Sequence, residues 1–165
     1  GLTNSLSFMG FDLNIFIQGV QGNQIFNATK MDLEGMFDRK NQSTNILDRW
    51  QQPGDITDIP KANAAGDGNL DNIHNSTRFV EDGSFLRIKS LTLAYNFPTT
   101  WLQKVKMQNL SIYATAQNLL TFTKYTGFDP EVNAYGVNSL GTEFGVDYGT
   151  YPQTRQMVFG LNVTF

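Results

Sequence analysis

The chain contains four runs in which apolar residues occupy every second position and charged residues are nearly absent. A period of two places alternate side chains on opposite faces of a β-strand. The runs predict four strands with only three charged residues among them, Asp12, Arg87 and Lys89. The predicted strands are Leu6–Gln18, Phe85–Asn96, Leu110–Asn118 and Gln156–Phe165. The fold class is therefore all-β, and the strands are expected to pair antiparallel.

The second run changes phase in its middle. Leu86 and Ile88 are apolar at even positions, whereas Leu91 and Leu93 are apolar at odd positions. A shift of one residue moves every following side chain to the other face of a sheet. We therefore predict a β-bulge near Lys89–Ser90, which would restore a single apolar face.

The connections between the predicted strands differ greatly in length. Residues 20–84 and 119–155 form long connections, whereas residues 97–109 form a short one. In an antiparallel sheet this order places both long connections at the same end. Transmembrane β-barrels have this asymmetry, with long outer loops and short periplasmic turns.

Two architectures fit the alternation. In a soluble β-sandwich the apolar face points into a core, as in a carbohydrate-binding module that uses loop aromatics. In a membrane barrel the apolar face meets lipid and the polar face lines the lumen. Charged residues make up 16% of the chain, below the roughly 25% of ordinary soluble domains. This deficit favours the barrel, although four strands cannot close one, so the chain would be a piece of a larger barrel.

Composition excludes several other classes of protein. The chain has no cysteine and one histidine, which rules out thiolate metal sites and multi-histidine centres. A net charge of -3 argues against nucleic acid as a partner. No run of 18 apolar residues is present, so a transmembrane helix is not expected.

Five stretches closely resemble the SusC/RagA family of TonB-linked outer-membrane transporters of Bacteroidota. They follow one another in the order found in the family and together cover most of the chain. They are residues 46–60 (ILDRW, PGD and TDIP), 85–95 (FLRIKSLTLAY), 116–131 (AQNLLTFTKYTGFDPE), 145–155 (GVDYGTYPQTR) and 157–165 (MVFGLNVTF).

The resemblance implies the last four strands of a 22-stranded barrel that is filled by a plug, in the outer membrane of a Gram-negative bacterium. Residues 20–84 and 119–155 would be extracellular loops, and residues 97–109 a periplasmic turn. The plug domain and the TonB box have no counterpart in this chain, and Gly1 would be an artificial start. The implied function is import of glycans or peptides. The implied partners are a SusD-like lipoprotein, TonB, the remaining barrel and plug, outer-membrane lipid and the barrel-assembly machinery.

In this interpretation the apolar set of the first and last runs faces lipid. Its members are Met9, Phe11, Leu13, Ile15, Ile17, Met157, Phe159, Leu161 and Val163. The end of the chain also resembles the signal that the barrel-assembly machinery recognises, through Gly160, Val163 and Phe165. Val158 departs from that signal, which wants a polar residue two positions before the glycine.

Candidate contacts with substrate or with the lid lipoprotein are sought in the long loops. Aromatic rings can stack on sugars or pack on peptides, and the candidates are Trp50 with its neighbour Arg49, Tyr125, Phe128 and Tyr148. The alternative is that these rings pack the loops together and that Arg49 forms a structural ion pair. No residue pattern typical of catalysis is present, so we predict that the protein is not an enzyme.

One loop segment resembles the opening of a calcium loop. Asp67, Asn69 and Asp71 present oxygen ligands at alternate positions. Asn72 and Arg78 stand where an EF-hand requires Gly and Glu, so the EF-hand fails. The segment is interpreted as a turn-rich polar loop, and a structural Ca²⁺ site of another kind is the alternative. No other metal or cofactor is expected.

Overall fold

A computed structural model of the chain describes residues 1–63, 71–131 and 145–165. It divides into two compact units. The sheet unit comprises residues 1–22, 84–124 and 153–165, and the loop unit comprises residues 23–83 and 125–152. Among the described residues, no helix has the length and apolar character needed to cross a membrane.

The described residues form eight strands and two short α-helices. In chain order the strands are β1 (Leu2–Phe8), β2 (Phe11–Val20), β3 (Gln24–Asn27), β4 (Val80–Asp82), β5 (Phe85–Asn96), β6 (Asn109–Thr123), β7 (Val146–Asp147) and β8 (Gln156–Thr164). The helices are α1 (Ala28–Glu34) and α2 (Thr99–Leu102). Short 3-10 helices cover Thr44–Asp48, Asp71–Ile73, Thr77–Phe79 and Gln103–Val105.

The sheet unit is one antiparallel sheet with the strand order β1-β2-β5-β6-β8. This arrangement confirms the predicted all-β, antiparallel fold. β5, β6 and β8 fall within five residues of their predicted limits, and β6 extends furthest beyond them, to Thr123. The second sheet, with the order β4-β3-β7, lies in the loop unit.

The predicted first strand, Leu6–Gln18, is wrong in one respect, because a turn at Met9–Gly10 divides it into β1 and β2. Both turn residues have positive φ, 49° and 87°, as a two-residue hairpin turn requires. The turn places Phe8 directly opposite Phe11. The sheet therefore has five strands rather than four, and Met9 lies in a turn instead of on the apolar face.

The predicted bulge is confirmed. Phe16 pairs with Ser90 and Ile17 pairs with Ile88, so Lys89 is the extra residue on β5. The ladder to β6 is also shifted at this point, and Asn118 there has a φ of 49°. Because of the bulge, apolar residues on both sides of it share one face of the sheet.

No described element of the sheet unit packs on that shared apolar face. Directly opposite pairs such as Leu13 with Leu93, and Ala114 with Phe159, carry the apolar set from strand to strand. Phe159 is 77% exposed and Leu161 is 60% exposed. A β-sandwich would bury this face against a second sheet, so the exposure argues against the soluble alternative.

The opposite face is polar and its side chains are hydrogen-bonded to one another. The Asp12 carboxylate accepts from Ser7 Oγ at 2.5 Å and from Asn96 Nδ2 at 2.6 Å. Thr92 and Thr115 join their hydroxyls at 2.9 Å across β5 and β6. Such cross-strand pairs stabilise the sheet without relying on a core.

The connection between β5 and β6 is compact. It contains α2 and ends in a turn where Lys106 has a φ of 58°. Leu102 is buried, whereas Trp101 is 60% exposed. Nearby, the Tyr95 ring lies 4.6 Å from the Phe11 ring and 5.0 Å from the Phe97 ring. This end of the sheet therefore carries a cluster of aromatic side chains.

Candidate functional site

The loop unit joins two segments that are distant in sequence. β3 from the first segment pairs parallel with β7 from the second, through Phe26 opposite Val146 and Asn27 opposite Asp147. Phe26 N also donates to Gly145 O at 2.7 Å. The two segments are thus joined by backbone hydrogen bonds, and neither is a free loop.

The apolar part of the loop unit's core is small. Its buried side chains come from both segments, and the two large ones nearest to full burial are Ile25 and Phe79. The Phe26 and Phe79 rings meet edge to face at 6.2 Å, a favourable geometry for an aromatic pair. Met36, Ala28 and Tyr125 complete the buried apolar set.

Helix α1 begins at a capping side chain. Asn27 Oδ1 accepts from Lys30 N at 2.8 Å, which satisfies one of the unpaired N–H groups at a helix start. Asn27 is itself buried. Lys30 Nζ then lies 3.0 Å from Glu81 Oε1, and this ion pair links α1 to β4.

Glu81 is the polar centre of the loop unit. Besides Lys30, its carboxylate accepts from Thr126 N at 2.9 Å and from Thr126 Oγ1 at 2.7 Å. Burial alone would raise the pKa of Glu81, but the hydrogen bonds from Thr126 and Lys30 outweigh it and hold the pKa below its usual range. The charged form of Glu81 therefore ties the second segment to the first.

Tyr125 and Asp147 form a buried pair within the second segment. Tyr125 Oη donates to Asp147 Oδ2 at 2.6 Å, and Asp147 is 0% exposed. Burial and the adjacent carboxylate raise the pKa of Tyr125 well above its usual value. Tyr125 is only 6% exposed, so its ring packs inside the loop unit and positions the second segment. A contact of Tyr125 with substrate or lid stays a prediction.

A second ion pair lies at the end of α1. Arg78 Nη2 donates to Glu34 Oε2 at 3.0 Å, and Asn45 Nδ2 donates to Glu34 Oε1 at 2.9 Å. The Glu34 side chain is almost fully buried. Both carboxylate oxygens therefore have donors, as a buried charge requires.

Trp50 and Arg49 lie in a loop of the first segment that is closed by a backbone hydrogen bond. Trp50 N donates to Ile59 O at 2.9 Å, and Arg49 Nη1 donates to Ile46 O at 3.3 Å. Trp50 lines a pocket of about 460 Å³ together with Phe79 and five charged or titratable side chains. Those five are Asp58, Lys61, Asp71, His74 and Arg78.

Phe128 and Tyr148 are the two predicted contacts with the largest exposure, 71% and 52%. Phe128 lines a small pocket of about 180 Å³ beside α1. Tyr148 lines a groove of about 680 Å³ whose other walls are mainly apolar, including Phe26, Met31 and Val146. We call this the Tyr148 groove. Trp50, Phe128 and Tyr148 thus line three different pockets, and the structure does not bring them together.

The predicted calcium segment falls largely outside the described residues. Asp67 and Asn69 lie in the part that the structure does not describe, and Asp71 is 3.5 Å from His74 Nε2. Within residues 1–63, 71–131 and 145–165, no group of three acidic, histidine or cysteine side chains is arranged to hold a metal ion. Calcium binding at residues 67–71 stays a prediction.

Comparison with known proteins places these features in a family, although no family model matches the chain. Over its whole length the chain is 36% identical to TonB-dependent receptor P3 of Formosa agariphila and 26% identical to TonB-dependent receptor SusC of Bacteroides thetaiotaomicron. The solved structure of the RagAB peptide transporter superposes on 96% of the chain with a TM-score of 0.75 and 28% identity.

The chain is a homologue of one segment of SusC/RagA-type TonB-dependent receptors. It spans about 16% of the length of the relatives it matches. The SusC/RagA relatives compared are receptors and a transporter rather than enzymes, in agreement with the prediction that the protein is not an enzyme.

The structure also identifies residues that the sequence patterns missed. The Glu81 carboxylate joins the two segments of the loop unit, and the Asp147 carboxylate holds Tyr125 within the second segment. Each stands in a strand of only two or three residues. Strands this short carry no periodic signal. Only the buried, hydrogen-bonded setting of each carboxylate reveals its role.

Proposed function

We propose that this chain forms part of the barrel wall and outer loops of an outer-membrane, TonB-dependent nutrient importer. The observation that carries the proposal is the continuous apolar face of the five-stranded sheet, whose large side chains remain exposed. In water such a face is costly, whereas in a bilayer it is the favourable lipid contact. The relatedness to TonB-dependent receptors supports the same conclusion.

The two faces of the sheet have different roles in this proposal. The apolar face, including Leu13 and Phe159, meets outer-membrane lipid. The polar face, with Asp12 and Thr115, faces a lumen that is filled by the plug of the same protein. The aromatic cluster of Phe11, Tyr95 and Phe97 and the exposed Trp101 fit the aromatic girdle at one membrane interface.

The loop unit is proposed as the extracellular seat of a SusD-like lipoprotein. The family resemblance implies such a partner, and the Tyr148 groove supplies an apolar surface with an exposed tyrosine. Tyrosines half-exposed at an apolar groove are typical anchors of protein interfaces. Phe128 is a second exposed aromatic side chain of the loop unit and lines a different pocket.

The proposed substrates are peptides or glycans, with TonB supplying the energy through the plug. The similar solved structures are those of the RagAB peptide transporter and peptide importer, so peptides are the first class to test. Uptake of labelled peptides and of labelled oligosaccharides would be compared in cells with and without TonB. Uptake that does not depend on TonB would contradict the proposal, as would a parent polypeptide that is soluble in plain buffer.

The seat of the lipoprotein can be tested with two matched tyrosines. Tyr148→Ala removes the anchor from the groove, whereas Tyr151→Ala removes a tyrosine that is 81% exposed and does not line the groove. We expect Tyr148→Ala to reduce the lipoprotein that co-purifies with the receptor in detergent, and Tyr151→Ala to leave it unchanged. Equal recovery with both variants would contradict this location of the seat.

A further inference from the structure

Gly160 in β8 lies directly opposite Tyr113 in β6. A Cβ atom built on Gly160 would lie 2.1 Å from Tyr113 Cζ, 2.3 Å from its Oη and 2.4 Å from its Cε1. These separations are far below van der Waals contact. The outer edge of the Tyr113 ring thus occupies the space that any side chain at position 160 would need.

Backbone conformation does not explain this glycine. Gly160 is absent from the residues with positive φ in the described chain, so other residues could adopt its extended backbone. A glycine inside a strand weakens the strand and often marks a site of close approach. The close approach here is that of the aromatic ring, which reaches from β6 across to β8.

The pair also resolves an ambiguity of register. A slip of one residue between β6 and β8 would turn the apolar face of β8 over, and the alternation forbids it. A slip of two residues keeps both faces and is not forbidden by the alternation. Such a slip would place Tyr113 opposite Val158 or Asn162, and both of these have side chains where the ring must lie.

We propose that Tyr113 and Gly160 form a register lock for β8, in which only glycine at position 160 accepts the tyrosine ring. This inference goes beyond the proposed import function and depends only on strand pairing. It also gives Gly160 a role that differs from its predicted role in the assembly signal. If Gly160 acted only as part of that signal, the glycine would be needed whichever residue stood at position 113.

The test is a double-mutant cycle in the full-length natural polypeptide that contains this sequence. The variants are Gly160→Ala, Tyr113→Ala and the two combined. The polypeptide is refolded into detergent micelles without assembly machinery, and the folded fraction is read from its shifted mobility in unheated gels. We expect Gly160→Ala to lower the ratio of folded to unfolded protein by about tenfold, as is usual for an overpacked site.

The combined variant is the direct test of whether the Tyr113 ring is the reason that position 160 must be glycine. With Tyr113→Ala present, Gly160→Ala should cost little, because the space above position 160 is then empty. Tyr113→Phe keeps the ring, so Gly160→Ala should remain as harmful in that background as in the natural one. The proposal is overturned if the combined variant folds no better than Gly160→Ala alone, or if Gly160→Ala folds normally.

The register itself can be read by cross-strand disulfides. Thr115 lies opposite Val158 in the observed register, so Thr115→Cys with Val158→Cys should cross-link in the natural background. A slip of two residues would instead place Thr115 opposite Gln156. Tyr113 would then meet Val158, so this slipped pair, Thr115→Cys with Gln156→Cys, should not cross-link in the natural background. Gly160→Ala should lower the yield of the Thr115→Cys with Val158→Cys cross-link, and an unchanged yield would overturn the lock.

Discussion

Tyr125→Phe should loosen the loop unit out of proportion to the single oxygen atom that it removes. Tyr125 Oη donates to Asp147 Oδ2 at 2.6 Å, and Asp147 is fully buried. Within the described residues, Asp147 Oδ1 accepts no hydrogen bond. The substitution therefore removes the donor from a carboxylate that has no contact with water.

The size of the effect follows from the charge of the acceptor. A hydrogen bond to a charged group contributes about 1.5–3 kcal/mol, and an unsatisfied buried group costs a similar amount. Because water is excluded from this site, we expect Tyr125→Phe to lower the free energy of local unfolding around β3 and β7 by about 2–3 kcal/mol. That loss corresponds to roughly 30- to 150-fold faster exchange of the amides that the β3–β7 pairing protects.

Native-state hydrogen exchange on the full-length polypeptide in detergent measures this directly, through peptides that cover residues 24–27 and 145–148. Asp147→Asn is the matched control, because the neutral amide still accepts from Tyr125 and costs less to bury. Tyr125→Phe should therefore be less harmful in the Asp147→Asn background. Exchange that changes by less than about threefold, under 1 kcal/mol, would refute the reasoning.

Three further substitutions or conditions test other parts of the molecule. Arg78→Ala should destabilise the loop unit by about 3 kcal/mol, because it leaves the buried charge of Glu34 without its ion-pair partner. In denaturant titrations, the combined Arg78→Ala and Glu34→Gln variant should recover part of that loss. The loop unit should lose stability as the pH falls below 4.5, the ordinary pKa of Glu81, because the unfolded state then binds a proton that the folded state resists. Hydrogen exchange at pH 3–6 measures this loss of stability, and Glu81→Gln should abolish it. Phe159→Lys should cost about 2–4 kcal/mol of barrel stability on the lipid face, whereas Val158→Lys on the opposite face should cost little, and equal losses would contradict the assignment of the faces.

The sheet could be predicted from sequence because its signal is local. β2, β5, β6 and β8 are each nine or more residues long, which is long enough for alternation to appear. The bulge at Lys89–Ser90 is visible as a change of phase. The hairpin at Met9–Gly10 left the same kind of trace, since Leu6 and Phe8 are apolar at even positions and Phe11 at an odd one. Methionine rarely adopts a positive φ, so the turn itself had no typical residue pattern.

The loop unit could not be predicted in the same way. β3, β4 and β7 are four, three and two residues long, too short for periodicity to appear. The pairing of β3 with β7 joins residues 120 positions apart, and that of β3 with β4 joins residues 54 to 58 positions apart. Tyr125 shows the consequence, since aromatic character alone placed it among the surface contacts, whereas its partner Asp147 draws it into the interior.

The pairing of β3 with β7 has a consequence for how this protein can diversify. Across the two segments, Thr126 Oγ1 donates to Glu81 Oε2 and the Thr29 hydroxyl accepts from Gly149 N, so side chains of each segment are matched to the other. A new sequence in one segment alone would therefore meet an unmatched partner in the other. Recombination, natural or in the laboratory, should succeed only when residues 23–83 and 125–152 are inherited together from one parent.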